Sequence, residues 1–98
     1  MNEKIENKTN EEIMRMICTI NLTIDLSTVD SAIEKAILFF DCIQKRSAIN
    51  LYLLRELNAL LEKCEEFTPD YKKKYELIQR LNILNERIRR ENKIYQEY

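Results

Sequence analysis

Arg87, Arg89 and Arg90 crowd the C-terminal part of the chain, with Tyr95 and Tyr98 following. Arg and Tyr are the side chains that most often anchor binding surfaces, because each joins a large contact area to a polar tip. Successive helical positions turn by ~100°, so the three arginines cannot all face a core. These five residues are therefore the candidate partner-binding set. Ordinary complementation of a helix C-terminal dipole is the alternative role for the arginines. Ser47 and Asn50 are the second candidate group. They interrupt an otherwise apolar 3–4 spacing, and on a continuous helix they form a polar layer that sets register and partner. A hydrated or bent stretch, with Ser bonded back to a helix carbonyl, is the alternative.

Catalytic chemistry finds little to work with. The chain has no His and no Gly, which removes the commonest general base and every phosphate-cradling loop. Glu65 and Glu66 read as a solvated helix end. Cys18, Cys42 and Cys64 are odd in number, without a CxxC pair, and without His a zinc site lacks its usual ligands. Buried free thiols in a reducing compartment are expected. No catalytic, cofactor-binding or metal-binding residue is expected, and no cofactor.

The elements that must position the candidates read as helices. A first helix opens at Thr9 or Asn10, with Glu11 and Glu12 near the positive end of its dipole. Ile13, Met16, Ile17, Ile20 and Ile24 share one face, and Met14, Cys18, Leu22 and Leu26 a second. The alternation in "INLTIDL" (residues 20–26) matches a half-buried strand, but a strand has no partner here, so helix is the expectation. It requires neighbours on both sides. "LSTVDSAIE" opens the next helix, with Ser31 and Glu34 placed as a capping box. Apolar spacing then runs from Val29 to Cys64, predicting one continuous helix through residues 45–50 that ends near Phe67 before Pro69, with a break at "KRSAIN", residues 45–50, as the alternative. That helix measures ~55 Å, long beside the ~13 Å radius of gyration of a compact domain this size. It leaves apolar stripe for a second chain. Thr68 as cap, Pro69 at the first position and Asp70 open the last helix. Its core stripe is Leu77, Leu81, Leu84, Ile88, Glu91, Tyr95 and Tyr98, extended upstream by Tyr71, Tyr75 and Ile78. The expected fold is all-α: a three-helix bundle, with a short first helix and a long antiparallel hairpin. Residues 1–8 form a flexible N-terminus and residues 9–98 a single helical domain.

The 98 residues support one modest core, and a 45% apolar content at helical spacing argues against disorder. Net charge is −1, but residues 1–69 hold 8 basic and 12 acidic side chains and residues 70–98 hold 8 and 5. Oppositely charged helices packed antiparallel explain this division, as does a basic segment meeting an acidic partner. The "MNEKIENKTNEE" start is too charged for a signal peptide, and no apolar run approaches a membrane span. "NKT" and "NLT" are accordingly discounted as glycosylation sites. A cytoplasmic location is expected, or nuclear in a eukaryote.

Three function classes compete. Lys45, Arg46 and Arg55 resemble the cations that small all-helical chorismate mutases project between helices toward a dicarboxylate. Those enzymes begin with their longest helix, and this chain begins with its shortest. Nucleic acid could meet "KKK" at 72–74, "RIRR" at 87–90 and the neighbouring tyrosines. Interleaved Glu76, Glu86, Glu91 and Glu97 and a pI near 5.6 disfavour it. The stretch "ALLEKCEEFTPDYKKKYELIQRLNILNERIRREN" resembles helical-hairpin flagellar export chaperones, with a leucine-rich helix, an acidic–proline turn and an amphipathic helix in that order. That resemblance implies client-protein binding. The expected function is a noncatalytic protein-interaction module, a small subunit or adaptor. Its partner is another protein or a second copy in a homodimer or hetero-oligomer, with coiled-coil-like packing and no membrane.

Overall fold

The computed structural model describes the backbone of residues 4–96 and the side chains of residues 4–92. Tyr98 and the Tyr95 side chain thus lie outside the described residues. Among the described residues the architecture is all-α, with four helices: α1 (Asn10–Thr23), α2 (Val29–Gln44), α3 (Leu51–Phe67) and α4 (Tyr71–Gln96). A single 3-10 turn, Ile5–Asn7, precedes them. Ile5 packs on the core, and the Arg46 guanidinium donates to the carbonyls of Glu6 and Lys8.

Three of the helices, α1, α3 and α4, start where a side chain satisfies exposed backbone N–H groups, whereas α2 has no side-chain cap. Thr9 and Glu12 form a reciprocal capping box on α1. Asn50 Oδ1 accepts the Leu53 N–H at 2.8 Å to cap α3. Asp70 Oδ1 accepts from the N–H groups of Lys72 and Lys73 and opens α4. Thr68, expected as that cap, is buried; its Oγ1 accepts the Asp70 N–H at 3.3 Å just ahead of α4, while Asp70 itself caps the helix. The Thr68 N–H donates to the Cys64 carbonyl and closes α3. Ser31 is not a cap either, since α2 begins earlier, at Val29, directly after Thr28.

The expected long second helix is two helices. Residues 45–50 break it. The Asn50 backbone is extended, and its side chain turns inward on α3's first turn, so α3 folds back beside α2. Ser47 and Asn50 are both exposed, and no buried polar layer exists at this point. In "INLTIDL", helix continues through Thr23 and stops at Ile24. Asp25 Oδ1 accepts from the Ser27 and Thr28 N–H groups. This turn offers the backbone a local alternative to further helix. The expected second apolar face divides: Met14 packs partly buried against the core, whereas Leu22 is 87% exposed and Leu26, past the end of α1, is 73% exposed.

Cross-links between helices fix the topology. Asn10 Nδ2 reaches the Ala48 carbonyl, and Lys63 Nζ the Asn21 carbonyl, so α1 runs parallel to α3. Lys73 pairs with Asp30 at 2.9 Å, Arg80 lies over the Phe40 ring, and Arg87 meets the end of α2, so α4 runs parallel to α2. The bundle is up–down–up–down. Helix α3 is its spine, packing against each of the other three. Leu53, Leu54, Leu57, Leu60, Leu61 and Cys64 are all fully buried on it, each leucine worth about 1.5–3 kcal/mol relative to exposure. The radius of gyration is 13.4 Å and the longest extent 44 Å, too short for the ~55 Å rod that one continuous helix requires. Folding α2 back on α3 closes within one chain the stripe that otherwise called for a second.

Candidate functional site

Helix α4 divides into two faces. Leu77 and Leu84 are fully buried, and Leu81 and Ile88 pack partly buried against the core. Three cationic side chains flank this stripe and tie α4 down. Lys73 pairs with Asp30, Lys74 Nζ donates to the Glu65 carbonyl, and Arg80 lies 5.9 Å from the Phe40 ring centroid.

Tyr71, Tyr75 and Ile78 belong to the other face. They are 85%, 64% and 43% exposed, although the sequence places them as an extension of the core stripe. Their mean direction lies roughly 120° around the helix from that of Leu77, Leu81, Leu84 and Ile88, at ~100° per residue. The angular offset was readable in the spacing. The choice of which apolar stripe turns inward was not. Beyond Ile78 the same angular sector continues as Asn82, Asn85 and Arg89. These residues line a small hollow on α4 with Glu86, Ile88 and Asn92. One helix face thus carries an aromatic–aliphatic half and an amide–guanidinium half.

The arginine cluster separates as helical geometry requires. Arg87 turns inward: its guanidinium donates to the Ile43 carbonyl at 2.9 Å and the Arg46 carbonyl at 2.7 Å. These carbonyls belong to the last turn of α2 and the residues after it. Arg87 is therefore a helix-end clamp within the fold. Arg89 and Arg90 are exposed, and Arg89 pairs with Glu86 at 2.8 Å on the surface. Of the residues singled out in the sequence, Arg89 shares the sector of Tyr71, Tyr75 and Ile78, and Arg90 lies on its flank. The Tyr95 and Tyr98 side chains lie outside the described residues.

The cations that resemble a dicarboxylate site do not converge. Arg46 donates to Asn10 Oδ1 at 2.6 Å and binds the N-terminal turn, whereas Arg55 is exposed on the outer side of α3. The three cysteines are free thiols. Burial pushes the Cys64 thiol up to about 11, and burial beside Glu56 raises Cys18. Both are held in the protonated, unreactive form. Among the described residues no group of three or more Cys, Asp or Glu side chains is placed to hold a metal ion, and no helix is long and apolar enough to cross a membrane. No family model, curated protein or solved structure matches this chain.

Proposed function

We propose that this chain is a noncatalytic protein-interaction module that presents the outer face of α4 to another protein. The observation that carries the reading is the exposure of Tyr71, Tyr75 and Ile78 at i, i+4 and i+7 on a helix whose leucine stripe is locked into the core. This spacing is how a helix offers anchors to an apolar groove. Tyrosine adds area at little entropic cost and keeps its hydroxyl available to a rim acceptor. The amide and arginine half of the same face supplies orientation, because a partner must satisfy Asn82, Asn85 and Arg89 as it covers the tyrosines. A small adaptor or subunit in a larger assembly has this form, as does an export-chaperone-like hairpin holding a client on α4. Binding of nucleic acid is less well supported: of the described basic side chains on α4, Lys73, Lys74, Arg80 and Arg87 are engaged within the fold, leaving Lys72, Arg89 and Arg90 exposed.

The experiment compares tagged full-length protein with a Tyr71→Ser, Tyr75→Ser variant in quantitative co-purification from the native source. The expected result is loss of a defined protein subset from the variant, with helicity unchanged by circular dichroism. An identical partner set from both proteins would refute the α4 face. Recovery dominated by salt-sensitive RNA or DNA would favour the nucleic-acid class instead.

A further inference from the structure

A second feature is lined by no residue of α4. Helix α1 touches α2 far more sparsely than it touches α3. An open trough of ≈ 820 Å³ fills the gap, bounded by the N-terminal 3-10 turn, α1 and α2. Its apolar surface is made by Ile5, Met16, Leu38 and Cys42. Leu38 is 54% exposed there, although most of the apolar side chains of α2 are buried. Four lysines line the same trough against only two carboxylates, Glu6 and Asp41. Lys35 and Lys45 have no ion pair among the described residues. A neighbouring hollow of ≈ 280 Å³ shares Met16 and Lys35 and adds Ile20 and Arg15. The depression thus follows the helix seam, apolar below and cationic along its edge.

From these features we infer that the α1–α2 trough binds a small amphiphilic anion: a single aliphatic chain ending in a carboxylate or phosphate. Its size lies in the ligand-site range of roughly 300–1,000 Å³, and seams between bundle helices are a usual place for such sites. Lys35 on α2 and Lys45 directly after it bracket Leu38 and Cys42 in the chain, so a cation for the single head group stands beyond either side of the apolar patch. A docked protein is a poorer occupant, because specific protein interfaces engage roughly 20–30 residues a side and ten line this trough. Charge selects the sign of the head group. Lys8 is paired with Glu12, and the remaining lining charges, Lys4, Lys35 and Lys45 against Glu6 and Asp41, still leave a positive balance; lysine binds carboxylate or phosphate as a point charge. The apolar surface holds the tail by removing it from water.

Dodecanoate, dodecyl phosphate and dodecyltrimethylammonium, each below its micelle concentration, are titrated into the full chain and followed by NMR. Saturable shifts at the Met16 methyl and the Leu38 side chain are expected with one or both anions. The anion with the tighter curve identifies the head group. The cationic amphiphile should bind about tenfold more weakly or not at all. Lys35→Glu, an exposed mid-helix change, should weaken the anion by about tenfold at unchanged helicity, and Leu38→Asp should do the same. The inference fails if neither anion perturbs these residues, if the cationic chain binds equally well, or if the shifts map to Tyr71 and Tyr75. Should the variants misfold, comparison of the three amphiphiles on the unaltered chain still decides.

Discussion

Asn50 and Arg87 show how a residue type acquires its role from where the backbone places it. Asn50 looks like a polar break in an apolar stripe, but it is exposed and caps α3. Replacing it with Ala should lower stability by about 1 kcal/mol in a denaturant titration. Ser47→Ala should change stability by less than about 0.5 kcal/mol, as expected for an exposed site without a special contact. A buried polar layer would give two large effects. Arg87→Ala leaves the Ile43 and Arg46 carbonyls without their charged donor and should cost about 1.5–3 kcal/mol of stability. The Arg89→Ala, Arg90→Ala pair should instead leave stability nearly unchanged and weaken partner binding by about 1–3 kcal/mol. Unaltered affinity in that folded double variant would remove both arginines from the proposed interface.

Among the elements, helix ends were legible where a local hydrogen bond decides them and obscure where packing does. The start of α1 at Thr9 and the end of α3 near Phe67 follow from a capping side chain and from Pro69, both written in the chain. The "KRSAIN" break, residues 45–50, carries only weak local signals, since Lys, Arg, Ser, Ala and Ile all tolerate helix. It is settled by Arg46 reaching the N-terminal turn, Asn10 reaching the Ala48 carbonyl and Ile49 entering the core. One Gly inserted after Ser47 should therefore cost only about 1 kcal/mol, as a loop extension does. In a continuous helix it would rotate every following side chain by ~100° and scramble the core. Backbone chemical shifts offer a second check. Helical values should persist through Thr23 and give way over residues 24–28.

For the whole molecule, α3 holds the most stable position, because it is the helix that all the others contact. Its amide protons should exchange last in hydrogen-exchange measurements, and those of the N-terminal turn and α1 before them. Titration limits stability at both pH extremes. Hydrogen bonds from Thr9 lower the Glu12 carboxyl, and bonds from Ser27 lower Asp25. Both contributions are present above the ordinary carboxylate pKa and are lost as pH falls through the lower folded values. At the alkaline side, a folded Cys64 thiol raised to about 11 stays protonated while an unfolded one ionises at 9.0. Stability should therefore decline as pH rises from 9.0 to about 11. The bond to Asp30 raises Lys73 above its ordinary 10.5, so that contribution is complete below 10.5 and fades as pH climbs through the folded value. Cys64→Ala should flatten the alkaline decline in thermal melts taken across that window, while the acid limb remains.

By itself the sequence determined that the protein is helical, where α1 is capped, where Pro69 ends α3 and which leucines of α4 form a core stripe. Those features depend on interactions within a few residues: a 3.6-residue period, a side chain reaching the next turn's N–H, the fixed ring of Pro69. Tertiary structure decided the rest. Whether residues 29–67 form one rod or two helices depends on whether Phe39, Phe40 and Ile43 find the α3 leucines in the same chain, a contact between segments that no local window contains. The same holds for α4, where two apolar stripes competed for the core. Leu77 and Leu84 went inside while Tyr71, Tyr75 and Ile78 remained outside. Lys73, Arg80 and Arg87, reaching Asp30, Phe40 and the end of α2, fix the rotation of that helix and hence the face it presents.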